Sequence, residues 1–493
     1  MDPMDQTPIG KPRQGLEPFP RLIKSIILTR LFGQFDYSID FLDTGAGKGE
    51  QDSPGRRLTL LYGDNGSGKT TILNLLWNTL SASPVGSHRS YIGNCPFASL
   101  TIRLTDGDVI TIKKKDEDLQ GPFTITVEGQ GVSLVQSYVP VGDGGFMAVG
   151  DDGMAISDVT RIEMEMRIKG DHLARRRMSR SAVLRRQREQ LALFADTRTD
   201  SFVDYLERVD ANPYFLADDR QIYGDDIRHA LNRHEAEEEG PNGTKSFLGK
   251  ELGLAMRRVH HQLQRQAIDG NQKGSSGTNK IYLDLLARIT QKEFTTEGAT
   301  PVPQLLERLN RVAVRTQKYS EFGLMPALRS QPFASILQDL PPGRAAMAEE
   351  IISPYLEAQE ARLDALHETE KLIRTFVEQV NGFLQTKRLV FELGRGMRVL
   401  SFEGHEQELS THQLSSGERQ ILLLLSNTIL ARGNTRVFLI DEPELSLNVK
   451  WQRKLMSALL ACTEDSGMQF VVATHSVEVI TGNKDSLSRL VSQ

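Results

Sequence analysis

The chain has 493 residues, 39% of them hydrophobic and 25% charged, with a formal net charge of −5 at pH 7. That balance is ordinary for a globular protein of several domains, or of one large domain carrying insertions. It excludes a protein that is basic overall, so any contact with nucleic acid has to come from a local patch.

Cys95 and Cys462 are the only cysteines, which excludes a disulfide framework and a cysteine zinc hook and suits the cytosol. No apolar run approaches the roughly 20 residues of a membrane span; the stretch 421–430 comes nearest and is interrupted by Ser426, Asn427 and Thr428. A cytoplasmic protein without a membrane partner is the expectation.

Residues 1–20 are polar and Pro-rich and read as a disordered tail. The segment 21–41 alternates like two strands, through Ile23, Ile26 and Leu28 and then Phe35, Tyr37 and Ile39. Leu58–Tyr62 reads as a short buried strand, and Thr71–Trp77 opens an apolar helix. Between them stands Gly63-Asp64-Asn65-Gly66-Ser67-Gly68-Lys69-Thr70, a complete G-x-x-x-x-G-K-[ST] loop. Its glycines let backbone N–H groups converge on a phosphate at the positive end of a helix. Lys69 is placed to reach the β- and γ-phosphates, and the Thr70 hydroxyl to ligate Mg²⁺. The expected cradle comprises Asn65, Gly66, Gly68, Lys69, Thr70 and Thr71, and the expected ligand is a nucleotide with Mg²⁺.

Further along, 100–113 and 123–127 read as antiparallel strands turning at Asp106-Gly107-Asp108. Residues 160–200 are helical and basic, with Arg175, Arg176 and Arg177 at their centre; a solvated or protein-facing surface or a phosphate-backbone contact fits, and a membrane surface fits less well because aromatic anchors are absent. Tyr214–Gln221 runs from a strand into a polar loop. The acidic segment 234–239 and the Gly/Ser-rich segment 269–279 read as mobile loops. Apolar residues from Ile352 to Leu384 keep three- or four-residue spacings, predicting one long amphipathic helix. A hairpin follows at 388–393 and 397–402.

Leu414-Ser415-Ser416-Gly417-Glu418 then precedes an apolar helix over 419–432 that closes on Gly433, a candidate left-handed cap. Val437-Phe438-Leu439-Ile440-Asp441-Glu442 is an apolar strand ending in two carboxylates, one for the Mg²⁺ shell and one for the attacking water. Glu444 fits a solvated acid as well as a ligand. Val471–Thr474 is a last buried strand, delivering His475 at its carboxyl end.

In that order the motifs resemble the ATP-binding heads of the ABC superfamily, in its SMC/RecF-like branch. Asp441–Leu447 is similar to the DEPE-x-SL variant of stand-alone bacterial ATPases of that branch. Asn448 and Val449 stand where a His-Pro pair is frequent, and Val477 replaces a common Pro. The resemblance implies an α/β fold: a P-loop ABC ATPase head, a mixed sheet with flanking helices, interrupted by a mostly helical insertion with a short coiled-coil-like arm. The long interval between Lys69 and Gly417 sets the division. Residues 21–160 and 385–493 form the head, and 161–384 the insertion, with 210–230 returning to the head.

It further implies that the Ser415, Ser416 and Gly417 loop of one subunit caps the γ-phosphate held by another, sandwiching ATP in a dimer of heads. Asp441 would be the Mg²⁺-linked carboxylate, Glu442 the base and His475 the γ-phosphate switch. Gln221 is the candidate for the lobe-linking glutamine near Mg²⁺, with Arg220 competing as a phosphate sensor.

A short insertion together with DEPE-x-SL looks like the ATPase subunits of anti-phage systems of the Septu and PARIS type, including retron-associated Septu-like ATPases. The function then implied is a regulatory ATPase that restrains or positions a separate nuclease effector of HNH or Toprim type, with nucleic acid or a retron ribonucleoprotein as a further partner. A Toprim domain is not expected in the residues after His475. A RecF-like repair ATPase acting directly on DNA is the alternative, and a self-contained nuclease with its site in 160–385 the second. Against the latter, the insertion shows no H-x-N pair or acidic nuclease cluster, and the adjacent His260 and His261 cannot easily face one metal.

Overall fold

In the computed structural model the described residues are 22–41, 57–83, 87–115, 118–129, 131–141, 144–149, 201–209, 212–217, 222–224, 247–275, 301–339, 341, 344–402, 407–433 and 435–490. In chain order the first lobe contributes β1 (Ile23–Leu31), β2 (Phe35–Asp40), β3 (Leu58–Tyr62), α1 (Lys69–Leu80), α2 (His88–Asn94), β4 (Ser99–Leu104), β5 (Val109–Lys114), β6 (Phe123–Gly129), β7 (Val132–Val141) and β8 (Gly145–Val149). Then come α3 (Ser201–Val209), β9 (Tyr214–Leu216), β10 (Ile222–Gly224), and the helices α4 (Phe247–Ser275), α5 (Val302–Ser320), α6 (Ser330–Gln338), α7 (Ala345–Ala365) and α8 (His367–Asn381). The last part holds β11 (Lys387–Glu392), β12 (Gly396–Ser401), β13 (Gln407–Leu409), α9 (Ser416–Ala431), β14 (Val437–Asp441), α10 (Val449–Cys462), β15 (Gln469–Thr474), α11 (Val477–Thr481) and β16 (Leu487–Arg489).

Two sheets of opposite character result. One is antiparallel, in the order β2-β1-β4-β5-β6-β7-β8. Its strands alternate buried and less buried residues, as β4 and β5 do, the pattern of a sheet with one covered face. The other runs β10-β9-β14-β15-β3-β16, with β9, β14, β15, β3 and β16 all parallel. Every residue of β14 and β15 is buried, because helices cover both faces.

Successive side chains of one strand therefore enter different cores. Leu439, Val471 and Ala473 pack with α1 and the antiparallel sheet. Phe438, Ile440, Phe470 and Val472 pack with α9, α10 and the helices of 247–381. The sheets are pinned together by Gln469, fully buried, whose amide accepts from Ile23 N–H and donates to Ile23 O, both at 2.9 Å.

The helices of 247–381 do not stand apart from the sheet. α4 lies against both α9 and α7, with Ala255, Val259, Leu263 and Ala267 buried at four-residue intervals. The run expected as one helix over 352–384 is two helices, α7 and α8, meeting at Leu366 (φ −96°, ψ −3°). Residues 269–275, expected as loop, continue α4. The reason is close packing: a Cβ at Gly270 would lie 2.8 Å from Leu366 Cδ2 and 3.0 Å from Ala365 O. Gly433 is not left-handed; α9 ends instead with Thr435 N–H donating to Ala431 O at 3.0 Å. The hairpin β11–β12 forms, and β13 extends it. The N-terminal 20 residues, the arginine-rich stretch 160–200, the acidic segment 234–239, Arg220 and Gln221 lie outside the described residues.

Candidate functional site at the carboxyl ends of the parallel strands

Parallel neighbours end on the same edge, and in open α/β sheets that edge is where ligands bind. β3, β15 and β14 are adjacent in the sheet and release, respectively, the loop Gly63–Gly68, His475, and Glu442 directly after Asp441. The three motif segments, separated widely along the chain, are thus brought together by strand order alone.

The loop after β3 turns through Gly66 and Gly68, each at φ +84°, a region that favours glycine. At Gly68 a Cβ would also come within 2.6 Å of Leu31 Cδ2. Tyr37 on β2 donates its hydroxyl to Ser67 O at 2.8 Å, and burial pushes its phenol above the usual range. Ser67 Oγ is buried and has no hydrogen-bond partner among the described residues. A strand, a glycine turn and a helix N-terminus with a spare hydroxyl fit a phosphate chain. Asn65, Gly66 and Thr70 are exposed, and Gly68 and Thr71 partly so.

Lys69 is only 5% exposed. Its Nζ donates to Gly63 O at 2.8 Å and Asp64 O at 3.0 Å. Burial depresses its pKa, opposed in decreasing order by the charges of Glu442, Asp441, Asp64 and Glu444. The ammonium thus already sits in the field of the carboxylates that β14 delivers. Asp441 is 3% exposed, while Glu442 N–H extends the β14–β15 ladder by donating to Ala473 O at 2.9 Å. Glu442 has φ +45°, an unusual conformation for a non-glycine residue. Its Oε1 lies 3.2 Å from His475 Nε2, with both side chains about one-third exposed, at 30% and 34%. Lysine, paired carboxylates and an exposed threonine are the donor set a Mg²⁺–nucleotide complex requires.

Glu444 is neither solvated nor turned outward. It is buried and accepts from Thr474 Oγ1, His475 N–H and Ser476 N–H. Sequence reasoning missed this role. The only local signal was a carboxylate two residues after Glu442, and its partners lie on another strand.

Ser415, Ser416 and Gly417 open α9. Ser415 forms a capping box, accepting from Glu418 N–H at 3.3 Å while its own N–H donates to Glu418 Oε2 at 2.7 Å. Lys387 Nζ bonds the same carboxylate oxygen at 2.7 Å. Desolvation alone would raise the Glu418 pKa, but the bonds from Lys387 and Ser415 outweigh it and hold the carboxyl below its usual range. Ser415 and Ser416 are exposed and Gly417 is buried. A Cβ at Gly417 would meet Ser446 O at 2.8 Å and Trp451 Cζ3 at 3.1 Å. Among the described residues neither serine hydrogen-bonds the loop after β3. The structure therefore joins Lys69, Asp441, Glu442 and His475 and leaves Ser415 and Ser416 facing outward. His260, on α4, shares its Nε2 with Leu393 O at 3.0 Å.

Fold and site define a nucleotide-binding domain of the P-loop kind, with the glycine loop, Lys69, Asp441, Glu442 and His475 at the carboxyl edge of one parallel sheet. Residues 290–481 match the family described as "AAA domain, putative AbiEii toxin, Type IV TA system"; the match takes in α9, β14 and His475 but not the loop of Lys69. The chain is similar to the spermidine/putrescine import ATP-binding protein PotA of Spiroplasma citri, at 34% identity over 87 residues, or 18% of this chain and 24% of that protein. It therefore spans about a quarter of that relative's length. Similar solved structures include the Smc head domain with an extended coiled coil bound to the C-terminal domain of ScpA from Pyrococcus furiosus (15% identity, TM-score 0.33, 96% of each chain covered). Another is the Smc head with a coiled coil and joint from Pyrococcus yayanosii (14% identity, TM-score 0.33, 96% and 97% covered).

No helix among the described residues is long and apolar enough to cross a membrane. Cys95 and Cys462 are free and buried, and burial pushes their thiols up to about 11 and about 12.

Proposed function

We propose that this chain binds and hydrolyses ATP between two head domains, and that the resulting opening and closing controls a separate nuclease effector in an anti-phage complex. The observation that carries the first half is the convergence of Lys69, Glu442 and His475 on three neighbouring strands. Lys69 neutralises the β- and γ-phosphates, and Thr70 and Asp441 hold Mg²⁺, which when bound screens the phosphate charge. Glu442 orients and deprotonates the attacking water, with His475 beside it to contact the γ-phosphate.

Ser415, Ser416 and Gly417 from a second copy complete the site. In support, both serines are exposed, and Leu445, Val449 and Val477 are solvent-exposed apolar residues near the same edge. Gln452 bonds Ser476 at 2.7 Å and Arg453 bonds Glu478, which brings the starts of α10 and α11 together. In this reading residues 21–160 and 385–493 are the head and 161–384 its insertion, from which β9 returns to the parallel sheet beside β14.

The match to a family described as a putative toxin of a type IV toxin–antitoxin system supports a defence setting. A two-state head controls a partner through differential affinity, and a coupling of ~1–3 kcal/mol shifts partner affinity roughly 5–150-fold. The test is reconstitution with the protein encoded beside it. The purified chain alone should cut neither DNA nor RNA with Mg²⁺ or Mn²⁺. The added partner should gain or lose cleavage in a manner that Lys69→Ala disrupts. Metal-dependent cleavage by this chain alone, surviving further purification, would instead put a nuclease site within 160–385.

A further inference from the structure

The turn after β14 carries a carboxylate that the chemistry above does not use. Glu444 is 9% exposed, and its Oε1 collects three donors: Thr474 Oγ1 at 2.6 Å, His475 N–H at 2.8 Å and Ser476 N–H at 3.1 Å. These three successive residues are the whole passage from β15 into α11. Bonds to a carboxylate acceptor tend to be shorter and stronger than those to a neutral one, as the 2.6 Å bond from Thr474 Oγ1 is here.

Both sides of this contact are anchored. On the carboxylate's side, Leu445 N–H donates to Glu442 O at 3.2 Å and Leu447 N–H to Glu444 O at 3.0 Å. On the other, Ser476 caps α11 by accepting from Val479 N–H at 3.1 Å and donates to Gln452 Oε1 at 2.7 Å. The His475 side chain leaves a backbone fixed in this way and meets Glu442 Oε1 at 3.2 Å.

We propose that Glu444 is a positioning residue for the reaction. It fixes the backbone of 474–476 so that the His475 imidazole faces Glu442 and the γ-phosphate position, and it acts only through His475. The proposal rests on the catalytic reading of Glu442 and His475 given above. A carboxylate that merely tied two loops together would affect stability, with no dependence on the imidazole.

The experiment is a double-mutant cycle on the full chain with Glu444→Ala, Glu444→Gln and His475→Ala. It is read by steady-state ATP turnover, ATP Kd, and amide exchange at His475 and Ser476. Glu444→Ala should lower kcat by up to about 100-fold, the scale of a ~1 Å misplacement, with ATP Kd unchanged. Glu444→Gln keeps an acceptor oxygen and should retain most of the turnover. In the His475→Ala background Glu444→Ala should cost nothing further; the same fold-loss in both backgrounds overturns the proposal.

Amide exchange reads the clamp directly. Glu444→Ala should expose His475 and Ser476 to exchange, and unaltered protection overturns the proposal whatever the turnover. If Glu444→Ala does not fold, Glu444→Gln carries the cycle at smaller amplitude, and a loss that persists without the imidazole has the same meaning. A wild-type chain that does not turn over ATP sinks the hydrolysis reading alone, because exchange still decides whether Glu444 holds the segment.

Discussion

The turn after β14 and the loop before α9 both carry motif residues, yet they are built in opposite ways. In the first, Asp441 and Glu444 are buried, and Glu444 binds the neighbouring strand's exit. The second holds its helix through the Ser415–Glu418 box and the Lys387 bond, while Ser415 and Ser416 point to solvent. The first is tied down within the chain, and the second is held at its helix but faces outward. The exposed start of α9 is where the function proposed above seats the phosphate held by a second copy. The two segments come close at Gly417, where a Cβ would meet Ser446 O at 2.8 Å and Trp451 Cζ3 at 3.1 Å.

Breaking the tied-down half should have the largest effect. Lys69→Ala removes the ammonium that sits in the field of Glu442, Asp441, Asp64 and Glu444, so phosphate and carboxylates would repel with one countercharge fewer. ATP binding by calorimetry should be lost, and wild-type affinity would refute the assignment of the loop. Glu442→Gln should bind ATP normally and lose about 10²–10⁴-fold in hydrolysis, the usual worth of a general base, leaving nucleotide-bound heads associated. Wild-type turnover would remove Glu442 from the role of base.

Breaking the outward half should leave binding by the single chain intact. Ser416→Arg places a bulky cation where a second copy would dock. Its ATP affinity should stay near wild type, while ATP-dependent association in sedimentation with a non-hydrolysable analogue disappears. An unaltered shift toward dimer would mean that this loop does not cap a partner's nucleotide.

The contrast also explains what could be read from the chain beforehand. The loop around Lys69 and the pair Asp441 and Glu442 were legible because each is a contiguous motif in a strand context that local hydrophobicity reveals. Glu444 was not, since its partners at 474–476 become neighbours only once β14 and β15 pair. The end of α4 was misread for the converse reason. Gly270 and Ser275 carry the composition of a loop, but the close approach of Ala365 and Leu366 requires a residue as small as glycine inside a helix. At Leu366 the apolar spacing continues through a break in the helix, so periodicity alone gives no sign of it.

The smallest expected effect tests the rigidity of the outward loop. Ser415→Ala removes the side chain that accepts Glu418 N–H and should cost about 1 kcal/mol, typical of an N-cap. The pH dependence of the same box has a definite sign. Glu418 is held below its usual range by Lys387 and Ser415 against the desolvation that would raise it. The unfolded chain therefore binds this proton more readily than the folded one, so its stabilisation is complete above the ordinary glutamate pKa near 4.5. It is lost as pH falls through the depressed folded value. Denaturant unfolding at neutral and acid pH, in wild type and Glu418→Gln, measures it: the variant should lose less stability on acidification than wild type. Equal acid sensitivity in the two proteins would mean that the carboxylate does not secure the loop, and that its outward geometry has to be held by the packing of Gly417 on Trp451 instead.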